Sequence, residues 1–193
     1  MTGSIKLGKI LGIPLWLHYS WFLVLFLITS SLAIFLGELN PFWSSIERWG
    51  VALAASTMLF ASVIAHELSH SLVARRNGIS VKGITLFIFG GVAQISREAT
   101  SPRMELEIAL AGPLCSIVLG FLFLGLGFAV EPFSMHLAVM MSWLFIMNIV
   151  LGVFNLIPGF PLDGGRVFRA FVWAVSGNYA KATWIATIGG RVT

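Results

Sequence analysis

Charged residues are spaced so unevenly along this chain that the gaps between them outline its architecture. Asp, Glu, Lys and Arg are all absent from Ile10 to Gly37, from Trp49 to Ala65, from Ile108 to Val130 and from Pro132 to Leu162. A helix that crosses a bilayer needs about 20 mainly apolar residues, so each gap predicts a span. The first span is expected from about Leu15 to Leu36. The second continues as helix beyond its gap, through His66 to about Ala74. The fourth gap is too long for one span, and the helix in it has to stop before Pro158. Val167 to Ser176 is apolar but short, and Ala182 to Gly190 opens another apolar segment before Thr193. The pattern predicts an all-α polytopic membrane protein of about six transmembrane helices, the last of them cut short.

One stretch breaks the helical character. Between residues 79 and 96, β-branched residues (Ile79, Val81, Ile84, Ile88, Val92, Ile95) surround the pair Gly90-Gly91. Such a run predicts a small β-hairpin or bent strand inserted after the second helix. No internal repeat, low-complexity tract or long linker divides the chain, so residues 1–193 read as a single unit.

Composition supports the membrane reading. Of 193 residues, 58% are hydrophobic and 10% charged, with a mean hydropathy of +0.93. A water-soluble domain carries about 25% charged residues. The formal net charge is +4. In so apolar a chain, the basic excess points to membrane topology rather than nucleic acid. Lys6 and Lys9 precede the first span, and Arg75, Arg76, Lys82, Arg97 and Arg103 follow the second. The loop after the first span has Glu38, Glu47 and one Arg48, and the loop after the third has Glu131 and no Lys or Arg. The positive-inside rule therefore puts the N-terminus and the 75–103 loop in the cytoplasm, and residues 38–48 and 131–135 outside. The first apolar run is longer than the roughly 7–15 residues of a signal-peptide core, and no small-residue cleavage site follows it. It is expected to be retained in the cell membrane. The single Cys115 excludes an internal disulfide framework.

The chemistry enters at His66-Glu67-Leu68-Ser69-His70, which matches H-E-x-x-H. On a helix, positions i and i+4 lie one above the other, about one turn apart. Two imidazoles so placed can bind one Zn²⁺, at about 2.0–2.1 Å each. Glu67, beside the first of them, can reach a zinc-bound water as general base without itself ligating. The same motif occurs by chance on polar helix ends at a water interface. Here, however, it terminates a seventeen-residue uncharged run, and ionisable groups at membrane depth cost enough to imply a function.

A hydrolytic zinc site uses three protein ligands and keeps one position open. His18 and His136 are isolated, each suited to a helix end or an interface. Asp163 follows the broken segment Asn155-Leu156-Ile157-Pro158-Gly159-Phe160-Pro161-Leu162 and precedes Gly164-Gly165-Arg166. Irregular backbone at membrane depth is tolerated where it lines a polar cavity. Read by itself, Asp163 could equally cap the next helix or pair with Arg166.

At this point the chain resembles the site-2 proteases, the intramembrane zinc proteases. The resemblance rests on His66-Glu67-x-x-His70, Gly90-Gly91, Ala111-Gly112-Pro113 and Asn155-x-x-Pro158-x-x-Pro161-x-Asp163-Gly164-Gly165, and it covers most of the chain. The start Gly12-Ile13-Pro14-Leu15-Trp16-Leu17-His18 is similar to the prokaryotic branch. It implies a metalloendopeptidase core with one Zn²⁺ per chain held by His66, His70 and Asp163. Glu67 matches the catalytic glutamate. Asn155 matches a polar residue of the active-site region that can donate to the substrate carbonyl. Gly90 and Gly91 match a strand near the site that can receive an extended substrate. Ser69 departs from the family, where Gly is frequent. Ala111-Gly112-Pro113 reads as close helix packing, with a bend at the proline.

The implied partners are the lipid bilayer and a single-span transmembrane substrate, with no nucleic acid. The active site is expected toward the cytoplasmic side. Some members of this family continue into a cytosolic regulatory domain. Two other functions compete: a non-proteolytic scaffold of the same fold, which has no need for Glu67, and a zinc or ion transporter using the same three ligands.

Overall fold

The computed structural model describes residues 3–88 and 90–192. Its elements are, in order, β1 (Ser4–Ile10), β2 (Ile13–His18), α1 (Ser20–Leu39), α2 (Ser45–Arg76), β3 (Val81–Phe87), β4 (Gly90–Ile95), α3 (Pro102–Val130), α4 (Met135–Asn155), α5 (Asp163–Ser176) and α6 (Tyr179–Val192).

Four helices, α1 to α4, are long and apolar enough to cross a membrane. Each fills one of the uncharged gaps, and α2 runs on through the H-E-x-x-H motif as its sequence implies. Helix starts are set by side chains. Ser44 and Glu47 form a reciprocal capping box on α2. Ser101 caps α3 with Pro102 behind it, and Ser134 caps α4. The helices α5 and α6 have 14 residues each, short of the length a perpendicular crossing needs. Among the described residues, then, four helices have spanning length and composition; about six were expected.

The bundle is apolar inside and out. Leu32 and Leu36 of α1, Ala52 and Ala55 of α2, Phe123 of α3 and Leu144 of α4 form one buried cluster. Phe22, Phe26 and Ile34 of α1, Val118, Phe121 and Phe128 of α3, and Val150 of α4 point outward, half or more exposed. A water-facing surface does not carry such side chains so densely, whereas lipid accepts them at no cost.

The strands differ from expectation at one end. The hairpin after α2 is present as β3 and β4, but it belongs to a four-stranded sheet of order β1-β2-β3-β4. Residues 15–18, expected as the start of the first span, belong to strand β2. Ile13, Leu15 and Leu17 alternate inward and pack against Ile84 and Leu86. β2 and β3 run parallel, with Leu15 opposite Ile84 and Leu17 opposite Leu86. Their connection is the α1–α2 hairpin, which leaves the sheet and returns to it. Both strand pairs therefore lie at one end of the bundle, and β4 is the edge strand beside α2.

Candidate active site

The site forms where α2, α3, β4 and the start of α5 meet. His66 and His70 lie one turn apart on the buried face of α2 and are 3% and 4% exposed. Each ring is held from behind by its Nδ1. His70 Nδ1 donates to the Ile108 carbonyl at 2.6 Å, and His66 Nδ1 lies 2.9 Å from Ser116 Oγ. Pro113, lacking an N–H, removes a ladder hydrogen bond from the adjoining turn of α3. A carbonyl only accepts, so the His70 proton is on Nδ1 and its Nε2 lone pair faces forward. Partners behind a metal-binding imidazole fix its orientation in this way.

Asp163 completes the group. Its Oδ2 lies 3.1 Å from Nε2 of His66 and 3.1 Å from Nε2 of His70, and the two nitrogens are 3.2 Å apart. That triangle is the face of a tetrahedron with arms of about 2 Å, the length of zinc bonds to imidazole nitrogen and carboxylate oxygen. Three such donor atoms meeting at contact distance need either shared protons or a shared cation between them. The donor set therefore fits Zn²⁺, and these three residues form a group that can hold a metal ion.

Three glycine positions make the convergence possible. A Cβ on Gly112 of α3 would collide with Nε2 of His70 and come within 2.6 Å of Nε2 of His66. On Gly91 of β4 it would run into the Glu67 side chain. On Gly164 it would strike the carbonyls of Leu156 and Ile157, so the start of α5 can sit directly on the broken 156–162 backbone. This segment contains the cis Phe160–Pro161 bond.

A cleft of about 400 Å³ opens over the group. Its walls bring together the residues given a catalytic, metal-binding or substrate-binding role from the sequence: His66, Glu67, His70, Gly90, Gly91, Asn155 and Asp163. The Glu67 side chain lies against β4, beside Gly91 and near the backbone of Ala93. Asn155 Nδ2 donates one N–H to the Leu151 carbonyl at 2.9 Å, which leaves its second N–H available. His18 bonds Ser20 at the start of α1, and His136 pairs with Glu47, so neither is near the metal group.

Several supporting contacts were not apparent in the sequence. Ser116 and the Ile108 carbonyl support the imidazoles from α3, at separations of 50 and 38 residues, which no local pattern reveals. Gly112 was legible as a small packing residue, yet what it packs against is the metal group itself. Behind α5, Arg169 forms an ion pair with the fully buried Glu105 of α3, while Phe160 and Tyr179 lie 5.4 and 5.1 Å from its guanidinium. Tyr179 in turn donates to Glu98 at 2.7 Å. Partial burial and that bond raise the Tyr179 pKa above its ordinary value.

Similarity to known proteins agrees with this geometry. The sequence model of peptidase family M50 matches residues 54–139 and 131–192. The chain is 42% identical, over 99% of its length, to sll0528 of Synechocystis sp., a protein named among the zinc metalloproteases. It is 37% identical, also over 99% of its length, to the zinc metalloprotease MJ0392 of Methanocaldococcus jannaschii. It covers 50% and 52% of those two proteins, so the chain spans about half the length of the curated relatives it matches. Among solved structures, the site-2 protease from M. jannaschii superimposes with a TM-score of 0.62 at 36% identity, over 95% of this chain and 77% of that one. The chain belongs to peptidase family M50, the site-2 protease family of membrane zinc metalloproteases.

Proposed function

We propose that this chain is the core of an intramembrane zinc-dependent endopeptidase that cuts transmembrane protein substrates, as in regulated intramembrane proteolysis. One observation carries the reading: the Nε2 atoms of His66 and His70 and Oδ2 of Asp163 form a triangle of 3.1–3.2 Å edges in a cleft that also holds a non-ligating carboxylate, Glu67. A scaffold or a transit site for ions has no use for that fourth group.

His66, His70 and Asp163 would hold one Zn²⁺, which would supply Lewis acidity and make water a better nucleophile near neutral pH. Glu67 takes the proton from the attacking water and returns it to the leaving amine. Asn155 directs its free amide N–H at the oxygen of the scissile carbonyl, where negative charge develops. The β4 edge, starting at Gly90 and Gly91, pairs with a substrate unwound into a strand, which exposes peptide groups that a helix would shield. Gly91 keeps this edge close enough for Glu67 to touch β4.

A single-span substrate in the cell membrane, entering a cleft that opens toward the cytoplasm, suits this arrangement. The clustering of Arg75, Arg76, Lys82, Arg97 and Arg103 at the sheet end of the bundle supports that orientation. The test is cleavage of a tagged transmembrane substrate in proteoliposomes, with zinc measured alongside. Wild type is expected to cleave, and Glu67→Gln to keep its zinc while losing about 10²–10⁴-fold in rate. Equal rates for the two zinc-loaded proteins would reject the mechanism. Zinc uptake into the vesicles, unchanged by Glu67→Gln, would favour transport.

A further inference from the structure

Arg166 is the one Lys or Arg among the described residues that line the cleft. It sits one turn beyond Asp163 on α5, so the two share a helix face. Its side chain is three-quarters buried, with 25% exposure. The nearest carboxylate is Glu105, whose Oε1 lies 4.0 Å from Arg166 Nε, and that same oxygen is already engaged by Arg169 Nε at 2.8 Å. Among the described residues, the Arg166 guanidinium donates no hydrogen bond. A guanidinium carries five N–H donors in a planar fork that matches a carboxylate, and leaving them unspent in a largely buried place is costly.

Charge in the cleft points the same way. With a divalent ion on the three ligands, Asp163 and Glu67 balance the metal, and Arg166 leaves the cleft one positive charge in excess. A second crevice of about 290 Å³ shares Ile95 and Arg166 with the cleft and is walled further on by Arg97, Glu98 and Arg169, the last paired with Glu105. Within the cleft itself, Arg166 is therefore the side-chain cation that a negative group formed there would meet.

We propose that Arg166 is a carboxylate-binding residue that receives the new C-terminal carboxylate of the cleaved chain and draws it off the catalytic group toward this crevice. This rests on the protease reading above. Hydrolysis breaks the C–N bond, adds the water oxygen to the acyl carbon, and passes a proton to the departing amine. The N-terminal product then ionises to the carboxylate that Arg166 binds. Arg166 is thus a product-binding residue whose role differs from that of Glu67.

The experiment measures binding of an N-acetylated apolar tetrapeptide with a free C-terminal carboxylate, and of its C-terminal amide, to the zinc-loaded full chain. Wild type, Arg166→Gln and Arg166→Lys are compared, with zinc content and thermal midpoint checked for each. Wild type should prefer the acid. In Arg166→Gln the affinity for the acid should fall about tenfold while the amide is unaffected, since a charge-assisted pair is lost only with the acid. Arg166→Lys, retaining charge without the fork, should fall between them. An acid-to-amide ratio that is the same in wild type and both variants, with zinc retained, overturns the inference while leaving the protease reading intact. Wild type that binds neither peptide and cleaves no substrate overturns both.

Discussion

Gly112 of α3 faces His66 so closely that an added Cβ would lie 2.6 Å from its Nε2 and overlap that of His70. The smallest side chain is therefore a requirement of the metal group. Gly112→Ala is expected to lower zinc affinity tenfold or more, by analogy with other changes that displace ligating imidazoles. Zinc-to-protein ratio after dialysis against a competing chelator would measure it. Stoichiometric zinc at wild-type affinity would show that the helices simply move apart.

Ser116 acts more gently. Its hydroxyl holds Nδ1 of His66, and Ser116→Ala leaves the helix packing in place. The expected outcome is a 10–100-fold loss of zinc affinity with little change in thermal stability. An unchanged affinity would mean that His66 is oriented by packing alone.

Glu105 and Arg169 tie α3 to α5, and with it to Asp163. Glu105 is 0% exposed, and its second oxygen, Oε2, has no partner among the described residues. Removing one member of such a pair strands a buried charge and costs about 3–5 kcal/mol. Arg169→Ala should therefore lower the thermal midpoint in detergent sharply, whereas Glu105→Gln combined with Arg169→Met should recover much of the loss. A single variant as stable as wild type would contradict this account.

β4 is expected to receive the substrate strand. A proline at Val92, which lies opposite Thr85 of β3, should stop cleavage while zinc stays bound, because proline cannot donate to a strand ladder. Undiminished cleavage would remove strand addition from the mechanism.

The Tyr179 phenol gives a pH signature. Its pKa is raised in the fold, first by partial burial and next by its bond to Glu98. A raised pKa stabilises the native state below the ordinary value of 10.0, and that contribution is lost as pH climbs through the folded-state value. Stability should thus decline in this alkaline range, and Tyr179→Phe should lack that part of the decline. Identical alkaline profiles for the two proteins would show that Tyr179 does not titrate with unfolding.

How much of this was legible depended on the range of each signal. His66, Glu67 and His70 were readable because a helix repeats locally, and the spans because charge is absent over whole segments. Ile13–His18 alternates inward and outward as a strand should, yet nearly every residue there is apolar, so hydropathy merged it with α1. The break at Pro158 and Pro161 was evident, whereas the need for Gly164 came only with the carbonyls of Leu156 and Ile157 beneath it. Ser116 and Glu105 escaped notice because their partners are set by helix contact across 50 and 64 residues. Arg166 was noted only as a neighbour for Asp163, and the structure instead places it in the cleft wall.

The parallel pairing of β2 with β3 bears on how the protein is made. Two membrane helices separate these neighbouring strands, so the sheet cannot close on a nascent chain until α1 and α2 have both entered the bilayer. His66, Glu67 and His70 are inserted with α2, but Asp163 is synthesised 93 residues after His70. At about 5–20 residues per second, the ribosome leaves an interval of several seconds in which the histidines are in place without their third partner. The three-residue group is thus complete only once the last of the four long helices has been made.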